Sequence, residues 1–188
     1  MSENAPIDLS VIVASTRPGR IGLPIGAWAA EVAARDARFD VRLVDLAEEA
    51  LPLLDEPNHP RLAQYEHDHT KRWAEIIGSS DAFVFVTPEY NHSFPATLKN
   101  AIDYLHNEWQ HKPVGFVSYG GISGGIRAVE ALIPVCTALR MTPVVEGVVL
   151  PFPFGRVDDE GRFIGDGDNA AAADAMLGQL AATARRGS

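Results

Sequence analysis

Three short stretches of this 188-residue chain concentrate residues that suit ligand binding better than packing. The first, Ser15-Thr16-Arg17-Pro18-Gly19-Arg20-Ile21-Gly22, offers two hydroxyls, two guanidinium groups and glycines that admit close backbone approach. It leads into a helical pattern, whose free amides and dipole favour an anion, so the stretch reads as a monophosphate site. The second, Thr87-Pro88-Glu89-Tyr90-Asn91-His92-Ser93, brings together a proline, a carboxylate, an aromatic ring and an amide. A flat heterocycle needs such a wall and such hydrogen-bond partners. In the third, Ser118-Tyr119-Gly120-Gly121-Ile122-Ser123-Gly124-Gly125, the glycines let backbone amides reach a ring edge.

The elements that position these stretches follow from periodicity. Short apolar runs at 9–14, 41–46, 82–87, 114–118 and 144–149 read as strands, and helices are expected over about 24–33, 62–77, 95–105, 126–140 and 169–184. Five strands separated by helices demand crossovers, and the uninterrupted apolarity of 82–87 says both sheet faces are covered. The expected architecture is a doubly wound, five-stranded parallel sheet with helices on both faces, one domain over residues 1–188. In such a sheet ligands bind outside the carboxyl ends of the strands, which is where all three stretches fall, and together they frame an isoalloxazine. The segment 151–168, rich in Gly, Pro and Asp, reads as a long surface loop.

Composition narrows the partners. Sixteen basic residues against 25 acidic ones leave a net charge of −9, which argues against nucleic acid. The polar N-terminal residues 1–6 carry no secretory signal pattern and no run spans a membrane, so a cytoplasmic protein is expected. The single cysteine, Cys136, lies among Leu132, Ile133, Val135 and Leu139 and reads as a core thiol.

Other motifs weaken on inspection. There is no Gly-x-x-x-x-Gly-Lys-Ser/Thr, and Gly19, Gly22 and Gly26 lack dinucleotide-fold spacing, although Asp45 ends the second strand where such a fold keeps its ribose-binding acid. Gly121 to Gly125 matches a hydrolase elbow around Ser123, but all six histidines precede that serine, and Ser123 is read as a helix cap. His67 and His69, two apart on an expected helix, would diverge and are read as solvated rather than metal-binding; no metal site is expected. His92 either faces an electron acceptor or makes an ordinary loop hydrogen bond. Trp73, Ile77 and Trp28 fit core stripes, Trp109 is either edge-of-core or covered by a partner subunit, and Arg127 pairs with an acid across that interface or is solvated.

The phosphate loop, the run Pro-Glu-Tyr-Asn-His-Ser-Phe-Pro-Ala-x-Leu-Lys-Asn-Ala-Ile-Asp-Tyr-Leu from Pro88 to Leu105, and Ser-Tyr-Gly-Gly-x-x-Gly-Gly followed by Arg-Ala resemble the NAD(P)H-dependent FMN reductase family. That family includes quinone, azo-dye and chromate reductases, and the resemblance spans about residues 8–150. It implies a flavodoxin-like fold, bound FMN, NADPH or NADH as co-substrate, a small-molecule acceptor, and a homodimer or tetramer with flavin sites near the subunit interface. By position, Ser15, Arg17, Arg20, Ile21 and Gly22 would hold the phosphate; Pro88, Glu89, Tyr90 and Asn91 would line the ring; Ser118, Gly120 and Gly121 would meet its pyrimidine side. Where many relatives place a serine or asparagine to cap the phosphate, this chain reads Arg20-Ile21-Gly22-Leu23-Pro24, which leaves the share carried by Arg20 open.

The implied chemistry needs no proton-shuttling side chain, because flavin N5 takes the hydride from NAD(P)H and the acceptor then stacks on the same face. Backbone amides near Asn91 and Gly121 would stabilise negative charge on the reduced ring. The alternative is an electron carrier or flavin-bound regulatory module on the same fold. Paired arginines in the phosphate loop favour the reductase.

Overall fold

The computed structural model describes residues 5–187, so most of the 1–6 segment read for a secretory signal lies outside the described residues. Strands β1 (Ile7–Val13), β2 (Phe39–Asp45), β3 (Ala82–Pro88), β4 (Pro113–Gly120), β5 (Thr142–Pro143) and β6 (Val148–Pro151) form one all-parallel sheet. Helices α1 (Gly22–Ala34), α2 (Leu46–Glu49), α3 (Asp68–Gly78), α4 (Ala96–Asp103), α5 (Ile126–Ala138) and α6 (Gly167–Gly187) connect and cover it.

Strand order is β2-β1-β3-β4-β5, with β6 also on β4. Every residue of β3 and β4 is buried, as continuous apolar sequence requires when helices cover both faces. One core holds Ile25 and Ala29 of α1 with Met176 and Leu180 of α6; the other packs Trp73 and Ile77 of α3 with Ile102 of α4 and Leu132 of α5. Edge strand β2 is only partly covered, with Phe39 and Val44 buried and Leu43 39% exposed. Because β1 is followed in sequence by β2 on one side and sits against β3 on the other, the loops leaving β1 and β3 diverge and open a crevice. Among the described residues no helix is long and apolar enough to cross a membrane.

Four expectations are corrected. The fifth strand does not run through 144–149: Pro143 pairs with Val114 and Val148 with Val117, so four residues on one strand oppose two on the other and bulge out. Gln179 Oε1 accepts from the amides of Val145 (2.9 Å) and Glu146 (3.1 Å), which satisfies backbone that the ladder abandons. The third helix starts at Asp68 rather than 62, because Ala63 (φ 49°) ends a 3-10 turn at Pro60–Leu62. Glu56 then accepts from the amides of Glu66 (2.8 Å) and His67 (3.0 Å), fixing the chain before the helix.

His67 is extended (φ −86°, ψ 142°) rather than helical, so its ring stacks on that of His69 at 5.2 Å instead of diverging. Both rings are half-buried, with His69 Nε2 3.0 Å from Asp55 Oδ1. Ser123, finally, caps no helix; Gly125 takes the N-cap position of α5 and no side chain caps it.

Other expectations stand. Cys136 is fully buried, and burial pushes its thiol pKa up to about 12. Trp73, Ile77 and Trp109 are fully buried, and Trp109 Nε1 donates to the Ile102 carbonyl (3.1 Å), which places it in this chain's own core. Segment 151–168 is anchored rather than free, for Phe163 is buried edge-on against half-buried Trp28 at 5.6 Å, with Arg156 over its other side.

Candidate active site

At the carboxyl ends of β1, β3 and β4 lies a cleft of about 490 Å3, within the size range of cofactor sites. It is lined by Ser15, Arg17, Arg20 and Ile21 from the first loop and by Pro88, Glu89, Tyr90 and Asn91 from the second. Gly19, Tyr119, Gly120 and Phe154 complete it. Three stretches far apart in sequence thus converge on one cavity.

The first loop closes with Arg20 N donating to the Arg17 carbonyl (3.1 Å), and Gly22 then opens α1. No acidic residue occupies the first turn of α1 and no side chain caps it, so its amides stay free for an anion. Arg17 is exposed and makes no ion pair among the described residues. Arg20 is different. Its guanidinium Nη2 is bonded to Asp45 Oδ2, while its buried Nε has no partner. Asp45 also accepts from Ala47 N (3.0 Å), capping α2, which assigns to this acid the work of holding Arg20 and a helix end.

The second loop is a tight hairpin. Tyr90 and Ser93 exchange backbone hydrogen bonds of 2.8 and 3.0 Å, and the two residues between them, Asn91 (φ 51°) and His92 (φ 65°), are left-handed. Two-residue hairpins favour that conformation; asparagine tolerates it, and histidine bears some strain. His92 is exposed at this turn. Tyr90 Oη lies 2.8 Å from Ser15 Oγ, tying the second loop to the first.

Glu89 is mostly buried, and its carboxylate is committed within the chain. Ser123 Oγ donates to it at 2.6 Å and Arg127 Nη1 at 2.7 Å. Those contacts, the Ser123 hydrogen bond foremost, hold its pKa below the usual carboxylate range. Glu89 therefore presents backbone and stem to the cleft rather than a free acid. Arg127, left open above between an interface pair and solvent, is bound to its own chain's Glu89.

Of the twelve residues singled out from sequence, three do not line the cleft. Ser118 is fully buried, and its hydroxyl donates to the Gly124 carbonyl (2.9 Å), so it braces the third loop from behind. Gly22 lies under the loop, where a Cβ would come 2.5 Å from Tyr119 Oη. Gly121 is exposed, its carbonyl accepting from Gly124 N (3.0 Å). Three further residues line the cleft: Gly19, which belongs to the first loop, Tyr119 and Phe154. Tyr119 shares the inward face of β4 with Val117, a period-two signal legible in sequence, whereas Phe154 sits in an irregular segment with no periodicity to read.

A doubly wound parallel sheet with an anion-seeking loop and a flat-sided cleft at its switch point defines a flavodoxin-like nucleotide-binding protein. The model of the NADPH-dependent FMN reductase family matches residues 7–153, and the chain belongs to that family. It is 40% identical over 144 residues to an NAD(P)H-dependent FMN reductase of Schizosaccharomyces pombe, covering 75% of this chain and 72% of that protein. A protein named NADPH azoreductase from Bacillus sp. is 32% identical over 115 residues (60% of this chain, 62% of that protein), and one named quinone reductase from Pseudomonas putida is 34% identical over 130 residues (66% of each).

Among solved structures, the flavoenzyme NAD(P)H:(acceptor) oxidoreductase FerB from Paracoccus denitrificans shares the fold at a TM-score of 0.75 and 22% identity, covering 96% of this chain and 98% of that one. The flavodoxin-like WrbA-like protein from Agrobacterium tumefaciens does so at 0.61 and 17%, covering 97% and 99%. Family membership makes the chain an oxidoreductase with FMN as cofactor and NAD(P)H as co-substrate, and the carrier alternative gives way. The cleft suits FMN on its own evidence, since two of its lining residues, Arg20 and Tyr119, carry buried polar atoms without a partner.

Proposed function

We propose that this protein oxidises NADPH or NADH through FMN held in the cleft between the β1, β3 and β4 loops, and reduces a small diffusible acceptor: a quinone, an azo compound, free flavin or a metal oxyanion. The observation that carries the reading is the convergence of Arg17, Arg20 and the uncapped α1 N-terminus on one end of the cleft that Pro88 to Asn91 wall. When bound, FMN would supply the two-electron redox chemistry between the nicotinamide and the acceptor.

The chain's own residues bind and orient. Arg17 and the amides opening α1 neutralise the phosphate. The hairpin at Asn91 presents backbone to the ring, and Gly120 lets the third loop pack closely, a Cβ there meeting Gly125 N at 3.3 Å. No side chain is asked to shuttle a proton. Exposed Phe152, Phe154 and Ile122 near the cleft support a homodimer or tetramer in which a second copy covers the ring.

The test is the visible spectrum of the purified protein, followed by NADPH and NADH oxidation with a quinone present. A yellow protein that bleaches with either nucleotide, and initial-rate lines with quinone that run parallel, are expected. A protein that stays colourless after incubation with FMN overturns the reading. Light scattering on a sizing column reports the assembly.

A further inference from the structure

Resting on the FMN reading above, the geometry points to a role for two further atoms: we propose that the Tyr119 hydroxyl and the Arg20 Nε–H are buried donors to the phosphate and make this site select FMN over unphosphorylated riboflavin. Among the described residues, three buried side-chain polar atoms lack a hydrogen-bond partner: Arg20 Nε, Tyr119 Oη and Thr70 Oγ1. Thr70 lies in α3 beside the Glu56 carboxylate, away from the cleft. The other two belong to residues that line the same cavity. A buried donor left unpaired is destabilising and rare, so two at one end of one cavity imply an acceptor supplied from outside the chain.

Their surroundings say which acceptor. Tyr119 is only 4% exposed and its hydroxyl lies against Gly22, the first residue of α1, at the anion end of the cleft. The neighbouring Ser15 hydroxyl lies 2.8 Å from Tyr90 Oη and close enough to Tyr119 Oη to influence it, yet it meets no hydrogen-bond geometry with that hydroxyl. Burial pushes the Tyr119 pKa well above the ordinary tyrosine range, so the group stays a neutral donor at neutral pH. Arg20, held by Asp45 through Nη2, keeps Nε free. A phosphate monoester has acceptor oxygens for both donors, whereas the ribityl hydroxyl of riboflavin is uncharged and offers one oxygen.

Gly22 serves as the gauge of this arrangement. Any Cβ at position 22 would stand 2.5 Å from Tyr119 Oη and 3.4 Å from Ser15 Cβ, so a larger residue must displace the hydroxyl. The structure thus provides two independent ways to remove the same donor.

The test is calorimetric titration of flavin-free protein with FMN and with riboflavin, for wild type, Tyr119→Phe and Gly22→Ala, alongside thermal melts without flavin. Tyr119→Phe is expected to weaken FMN roughly tenfold or more, to leave riboflavin affinity unchanged, and to leave the flavin-free melting temperature unchanged or raised, since it deletes an unsatisfied donor. Gly22→Ala is expected to weaken FMN in the same selective way, and it decides the matter if Tyr119→Phe does not fold. Unchanged FMN affinity, or equal losses for FMN and riboflavin, overturns the inference, because water or packing would then account for the hydroxyl. Wild-type protein that binds neither flavin overturns the FMN reading itself, a result distinct from these.

Discussion

Arg127 Nη1 stands 2.7 Å from Glu89 Oε1, joining the first turn of α5 to the loop that leaves β3. Ser123 holds the other carboxylate oxygen at 2.6 Å, so the walls of the cleft formed by β3 and β4 are clamped through one acid. Glu89 N also donates to the Tyr119 carbonyl (3.0 Å), which makes the clamp continuous with the sheet.

This clamp has a pH signature. Because the folded-state pKa of Glu89 lies below its ordinary value of 4.5, the stabilisation is fully present above about that pH and is lost as pH falls through the depressed value. Ser123→Ala should lower stability by about 1 kcal/mol near neutrality, and the difference from wild type should vanish at lower pH. Chemical denaturation of both proteins across the acid range measures it; a difference that persists undiminished under strong acid would show that Glu89 is not its origin.

Arg17 offers a cleaner charge deletion. It is exposed and pairs with nothing among the described residues, so Arg17→Ala should leave flavin-free stability within about 0.5 kcal/mol of wild type. FMN affinity should fall about tenfold or more with the loss of a charge-assisted bond to phosphate. Fluorescence titration of FMN reads the second effect and denaturant melts the first.

Asp45→Asn separates the roles of the acid beneath the loop. Asparagine keeps the cap on Ala47 N, but Arg20 loses its counter-charge. Side-chain exposures of 18% for Arg20 and 9% for Asp45 put the loss at about 1–3 kcal/mol, below the figure for a fully buried pair. Added FMN should recover part of that loss, since its phosphate supplies a replacement anion. Melting curves with and without FMN give both numbers.

Gly125→Ala tests the third loop. Residue 125 has φ 91°, and a Cβ there would lie 2.7 Å from the Tyr119 backbone nitrogen, which cannot move without breaking β4. A destabilisation of about 2 kcal/mol or more is expected, measurable by urea unfolding.

Much of this was legible in the residues themselves. Unbroken apolarity in β3 demands burial on both faces, because a strand's side chains face whatever its two surfaces touch. The binding stretches were legible as well, since hydroxyls, guanidinium groups and glycines after a strand have few structural uses in that combination. Partnership was not. Ser123 reads as a helix cap from its position, yet folding sets Glu89 against it; Asp45 at the end of the second strand has no partner legible in sequence, yet Arg20 lies across it; His67 and His69 read as divergent, yet Glu56 holds His67 outside the helix. Local pattern determines the elements because it acts over a few residues of chain. Which charge meets which, and which buried donors are left unanswered at Tyr119 and Arg20, depends on distances between loops that only the packed sheet brings together.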